Sequence, residues 1–201
     1  MADENFYNPL VDNLLEQTVK ANSAKIEPLA IQDLVWRMDR GALVRIRAAA
    51  GVRNVRLNGL SSIARTGEVI LNDLDAATSR LAFNFELTNM THTFDGIVQA
   101  VGISSNRKFN GTVTRIAGQM VLRYSKATDE LMVMTVKVTK LDNLEIIVKG
   151  GRRLAEMVEN AFIRSAVAYL ERGFRVTIEY SLQVIFNRAV VNNRVIKSIM
   201  G

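Results

Sequence analysis

Hydrophobic and polar positions follow two different periods along this 201-residue chain, and the order of those periods predicts its architecture. From Pro9 to about Lys25 the spacing is helical. Leu10, Leu14, Val19 and, more loosely, Val11, Leu15 and Thr18 form one stripe, with Asp12, Asn13, Glu16, Gln17 and Lys20 opposite. Asn8 suits a helix cap, Pro9 suits the first helical position, and Pro28 blocks any continuation. From about Ala42 the period changes to two. Val44, Ile46 and Ala48 alternate with Arg45 and Arg47, and Val55 and Leu57 alternate with Asn54, Arg56 and Asn58. Arg65-Thr66-Gly67 then turns the chain before Val69 and Leu71 resume. Leu81, Phe83, Phe85 and Leu87 share one face, Ile97 to Ile103 is a shorter candidate, and Thr112 to Tyr124 places Ile116, Gly118, Met120, Leu122 and Tyr124 together. After a turn at Ala127-Thr128-Asp129-Glu130 come Met132, Met134, Val136 and Val138, and Leu144 to Val148 is the last clear strand. Such alternation predicts about seven antiparallel strands, dry on one face and arriving in sequence as in a meander.

The Gly150-Gly151 pair ends this run. Leu154, Met157, Val158, Ala161, Phe162, Ser165 and Tyr169 step by three and four, as in an amphipathic helix. Beyond Gly173 two patterns coexist. Val176, Ile178, Tyr180, Leu182, Val184 and Phe186 alternate, while Phe174, Ile178, Leu182, Ile185 and Ala189 fit a helical stripe. β-branched content favours strand and length favours helix. The expected class is α+β: a helix, a long antiparallel sheet, then one long helix or two. A sheet dry on one face must cover it, and the terminal helices are the candidates. No Pro/Gly/Ser-rich linker follows Pro28, so residues 1–201 read as a single domain.

Composition narrows the chemistry. Hydrophobic residues are 48% and charged ones 23%, the balance of a folded globular chain. The net charge of +6 comes from scattered Arg and Lys with no basic arm and no RNA-binding aromatic motif, so no nucleic-acid partner is expected. Arg45, Arg47, Arg53 and Arg56 on the wet face of the first strands could meet an anionic lipid surface in a weak association; the plainer reading is a solvated sheet face. With no cysteine there is no disulfide, thiol catalysis or cysteine-based metal site. No stretch approaches the roughly 20 apolar residues of a spanning helix, and MADENFYNPL is no signal peptide. Two N-x-[ST] sequons, at Asn89 and Asn110, are compatible with secretion.

No enzyme is expected. The chain lacks G-x-S-x-G, H-E-x-x-H and a phosphate loop, and Gly102-Ile103-Ser104-Ser105-Asn106 has only a loose likeness to a nucleophile elbow. The lone His92 sits in the polar stretch Asn89-Met90-Thr91-His92-Thr93 and reads as a loop or surface histidine. No metal site and no cofactor are expected.

The residues Arg53-Asn54-Val55, Arg56-Leu57, Gly59-Leu60, Ile63, Arg65, Gly67 and Val69 carry a resemblance to the mite group 7 allergens. The Gly150-Gly151 pair and Arg175 to Ala189 continue it. Those allergens belong to a wider lipid-binding superfamily, the TULIP fold, with juvenile-hormone-binding and takeout-like proteins and the bactericidal/permeability-increasing protein. The resemblance implies a strongly curved antiparallel sheet wrapped around a long C-terminal helix, and a helix over Phe174–Ala189. It also implies secretion, and an apolar cavity between sheet and helix for a lipid-like, terpenoid or carotenoid-type molecule. This chain lacks the N-terminal disulfide of the hormone-binding branch, so juvenile hormone is not carried over. It lacks a second domain, so membrane disruption is not carried over either. The expected function is therefore a carrier of a hydrophobic small molecule. The alternative is an interaction protein with a filled core that binds a protein, microbial lipid or anionic surface through its exterior. Expected ligand-lining residues are Leu15, Trp36, Phe83, Phe85, Met120, Leu122, Met132, Met134, Met157 and Phe162, since methionine and aromatic walls suit varied apolar shapes. Trp36 reads either as a core anchor between helix and sheet or as the border of a cavity mouth.

Overall fold

A computed structural model describes residues 7–40, 46–100, 103–128, 130–148 and 156–192, apart from some side chains near element ends. The first helix, α1 (Tyr7–Thr18), buries Val11, Leu14, Leu15 and Thr18. It is shorter than its stripe predicts, because Asn22 Nδ2 takes the Thr18 carbonyl at 2.8 Å and the chain tightens into a 3-10 turn over Lys20–Asn22. A single turn, α2 (Ser23–Ile26), follows. Asn8 is not a cap. It lies inside α1, and its Oδ1 accepts from the Val69 amide at 3.0 Å, tying the helix to the sheet.

Among the described residues seven strands form one antiparallel sheet: β1 (Leu29–Ile31), β2 (Leu34–Arg40), β3 (Ile46–Asn58), β4 (Ala64–Asp75), β5 (Thr78–Ala100), β6 (Ile103–Ser125) and β7 (Glu130–Val148). The order is β1-β3-β5-β6-β7, with β2 also on β3 and β4 also on β5. The number of strands agrees with expectation, but the division differs. Leu81–Leu87 and Ile97–Ala100 belong to the single 23-residue β5, and the last two expected strands are one β7. β1 and β2 precede the onset expected at Ala42, and Trp36 is a strand residue on β2. Ala42, Val44, Arg45 and the Gly150-Gly151 pair lie outside the described residues.

Strands β3 and β4 share one edge of β5 end to end, and the passage Gly59–Ile63 bridges them. There Ser62 Oγ accepts from the Thr88 amide at 3.0 Å, filling the break in the β5 ladder, and donates to the Gly59 carbonyl at 2.6 Å. Glu27 Oε1 accepts from the amides of Gly59, at 2.8 Å, and Leu60.

The same transverse line creases the rest of the sheet. Leu87 and Met90, Val113 and Ile116, and Leu141 and Leu144 all pack on the core. The two residues between each of these pairs face away. Asn89 and Asn143 stand in this line at a φ of 52°, which asparagine tolerates better than most residues. Because β5, β6 and β7 change phase together, their pairing crosses this line in register: Thr88 faces Arg115, Met90 faces Val113 and Arg115 faces Asp142.

The long helix α3 (Glu156–Asn192) covers the inner face and settles the ambiguous segment as helix. Its buried residues are Phe162, Ala166, Leu170, Phe174, Ile178, Leu182 and Phe186, with Ile185 beside the last. A spacing of four advances the stripe by about 40° per step at 100° per residue. The buried face thus winds around the helix, as a sheet curving about it requires. Ala189 has its side chain outside the description. Polar side chains of α3 also take the hydrogen bonds at the free edge of β7. Asn187 Oδ1 accepts from the Val133 amide at 2.9 Å, Glu179 Oε1 accepts from the Val138 amide at 2.7 Å, and Arg175 donates to the Val138 carbonyl at 3.0 Å.

Candidate functional site

The inner face of the sheet is apolar on both sides of the crease, and the expected lining residues divide between the two sides. On the β4 side, Phe83, Phe85, Met120 and Leu122 are buried together, with Phe83 directly opposite Met120 in the register. Leu15 is buried on α1. On the β3 side, Phe162 of α3 is buried and stacks on half-buried Trp36 at 5.9 Å between ring centroids. Met157 lies on α3, but its side chain is outside the description.

Met132 and Met134 do not join them. Each is nearly half exposed on the outer face of β7, and Leu131 and Val133 point inward instead. The cause is a bulge. Val121 pairs with Thr135 while Leu122 pairs with Val133, so Met134 is an extra residue that reverses the phase before Val136 and Val138. Of the arginines proposed for a solvated or lipid-facing surface, Arg53 and Arg56 are exposed; the side chain of Arg47 lies outside the description.

The β3 side holds the feature that sequence reasoning placed wrongly. His92 is no loop residue: it lies in the middle of β5 and is fully buried. A continuous run of rings joins it to Trp36. Phe162 meets Phe109 at 5.3 Å, Phe109 stacks on Phe94 at 4.9 Å, and Phe94 stacks on His92 at 6.0 Å. Phe174 of α3 tilts against the imidazole at 5.4 Å. These rings lie close to the sheet because glycines stand beneath them. A Cβ on Gly96 would come within 2.4 Å of Phe109, and one on Gly111 would come within 2.6 Å of His92 Nε2 and 1.8 Å of the Glu145 carbonyl. The available signal was the alternation of Met90, His92 and Phe94 with Thr91 and Thr93, which is the pattern of a strand.

The imidazole has one partner. Nε2 lies 3.0 Å from the Glu145 carbonyl, which only accepts, so Nε2 carries the hydrogen and the neutral ring leaves Nδ1 as a bare lone pair. Nδ1 is buried without a hydrogen-bond partner, and so is Nε1 of Trp36 at the far end of the ring run. Burial lowers the pKa of His92 below the usual 6.5, against a smaller opposing effect of the Glu145 carbonyl. Tyr169, which donates from α3 to the Gln32 carbonyl, has its phenol pushed up by burial and then by Asp33. Among the described residues no three His, Asp or Glu side chains converge on a point that could hold a metal ion. None of the described helices is long and apolar enough to cross a membrane.

Comparison with known proteins gives two kinds of likeness. The Group 7 allergen family model matches residues 6–189. A comparison with curated protein sequences finds no match. Among solved structures, lipopolysaccharide binding protein is similar in fold, with a TM-score of 0.55 at 13% identity over 88% of this chain. The chain spans only 38% of that protein's length. Takeout 1 of Epiphyas postvittana aligns over 90% of this chain and 86% of its own, at 13% identity and a TM-score of 0.47.

Proposed function

The chain belongs to the Group 7 allergen family, and on that premise we propose that it binds and carries a hydrophobic small molecule in the apolar layer between the sheet and α3. One observation carries the reading: two polar atoms, Trp36 Nε1 and His92 Nδ1, are buried without partners at the two ends of a continuous run of stacked rings. A core that is full of itself satisfies its polar groups nearly everywhere. Mostly apolar walls with a few isolated polar groups are the composition of a small-molecule site. The fold is shared with a protein whose name states that it binds lipopolysaccharide, a lipid-bearing ligand. Affinity would come from burying apolar ligand surface, at roughly 25 cal/mol per Å² before the costs of binding. An extracellular carrier is part of this reading, and so is the assignment of Leu15, Phe83, Phe85, Met120 and Leu122 to the walls on the β4 side.

The test is extraction of protein purified from its natural source, with mass spectrometry and an absorption spectrum of the extract. One apolar compound at near-stoichiometric yield is expected, and visible absorbance would point to a pigment such as a carotenoid. An empty extract, together with no quenching of the single tryptophan by any added lipid, would sink the reading.

A second reading, a partner-binding exterior, draws on exposed Val176 and Tyr180 on α3, together with Met132, Met134 and Ile147 on β7. Binding of anionic vesicles that weakens steeply with salt would favour its lipid-surface form.

A further inference from the structure

His92 is the single histidine of the chain and, among the described residues, the most completely buried polar side chain. Its Nε2–H is committed to the Glu145 carbonyl, Phe94 and Phe174 pack against its ring, and the missing Cβ of Gly111 leaves room for it over β6. What remains is one in-plane lone pair, held in a fixed direction by the rest of the ring's contacts and given no donor by the protein. A buried acceptor left in this state costs free energy that any correctly placed O–H would recover.

Resting on the carrier reading above, we propose that Nδ1 of His92 is the specificity contact for the ligand and selects a lipid alcohol, an apolar molecule whose hydroxyl donates a hydrogen bond to that lone pair. The chemistry separates close relatives of one ligand. An alcohol brings the hydrogen that Nδ1 lacks. An ether or ester of the same chain brings only acceptor oxygens, which face the lone pair with repulsion. A carboxylate brings a negative charge and no hydrogen, and it would need the imidazole to take up a proton, which burial opposes. A site built to hydrogen-bond a hydroxyl rejects the analogue without it, because the buried polar atom is then left unpaired. The surrounding phenylalanines strengthen the discrimination by keeping water from the contact.

The test uses three ligands with the same alkyl chain: dodecanol, dodecyl methyl ether and dodecanoate. Each is titrated into the intact wild-type protein and into His92→Phe, with Trp36 fluorescence as the readout. Dodecanol should bind wild type about tenfold more tightly than the ether, as one recovered hydrogen bond predicts, and dodecanoate no better than the ether. In His92→Phe the three should fall within about threefold of one another. Since there is one histidine, nitrogen-15 spectra of the imidazole are unambiguous: the Nδ1 resonance should move on adding dodecanol and stay in place on adding the ether. Equal affinity for alcohol and ether, or tightest binding of the carboxylate, would overturn the assignment while the carrier stands. An unmoved Nδ1 resonance with saturating dodecanol bound would overturn it too, since the hydroxyl then makes no contact with that atom. If none of the three binds and the natural extract is empty, the carrier itself falls. Should His92→Phe fail to fold, the wild-type affinity order and the Nδ1 resonance still decide.

Discussion

At the scale of single residues, His92 has a measurable signature before any ligand is found. Its folded-state pKa lies below the unfolded value of about 6.5, so between those two values the unfolded chain binds the extra proton. Stability attributable to this residue is therefore complete above about pH 6.5 and is lost as the pH falls toward the folded pKa. The groups packed around the ring, Phe94, Phe174, Gly111 and the Glu145 carbonyl, carry no charge that would reverse the sign. Thermal unfolding of wild type and His92→Phe between pH 7 and 5 should thus show a steeper decline for wild type, whereas parallel curves would mean that the imidazole is freely hydrated. Gly111 offers a second measurement. An added Cβ would overlap the Glu145 carbonyl at 1.8 Å, which is backbone and cannot swing aside. Gly111→Ala should cost about 3 kcal/mol or more by urea denaturation, at the upper end for overpacking. Both residues show a limit of sequence reading. Asn89-Met90-Thr91-His92-Thr93 looks polar as a composition, yet its threonines face out and only the alternation reports the strand. Nothing local announces that Gly111 on the next strand makes room for the ring.

At the scale of elements, the inner residues of β5 and β6 were legible wherever alternation ran unbroken: Leu81 to Leu87, and Ile116 to Tyr124. It failed where an extra residue enters, because a one-residue step moves every following side chain to the opposite face. Met134 shows this within β7, and Met132 was lost with it. The crease is harder to see, since Asn89 and Asn143 resemble ordinary turn asparagines in sequence, and only their alignment across β6 reveals a common bend. Asn89→Ala and Asn143→Ala should each lose about 1 kcal/mol, the cost of a left-handed conformation for an ordinary residue, while Asn→Gly at either place should be close to neutral. Equal losses for Ala and Gly in urea denaturation would show that the side chain, and not the φ angle, is what matters there. For α3, the two competing periods in Phe174–Ala189 share Ile178, Leu182 and the neighbourhood of Phe186, so the pattern held no decision. Val176 and Tyr180 belong only to the strand reading, and both are exposed.

At the scale of the whole molecule, fold class and the covering role of the helices were legible because a one-sided sheet needs a cover. The path of the cover was not, since a stripe of period four gains meaning only against a curved partner. Phe174 sits where helix, ring run and sheet meet, so Phe174→Ala should lose about 3–5 kcal/mol in chemical denaturation and also remove a ring packed against His92. A loss below about 1 kcal/mol would mean that this part of the interior is loosely filled. The last strand gives the helix a further duty. Arg175, Glu179 and Asn187 occupy hydrogen-bonding groups of β7 that another chain's strand would otherwise seek. Replacing all three with alanine should leave secondary structure by circular dichroism largely intact while speeding conversion to thioflavin-binding fibrils; unchanged kinetics would show that these three side chains do not protect the edge. On this account α3 shields its own sheet from fibril growth, and a ligand that pried it away would turn the folded chain into a seed.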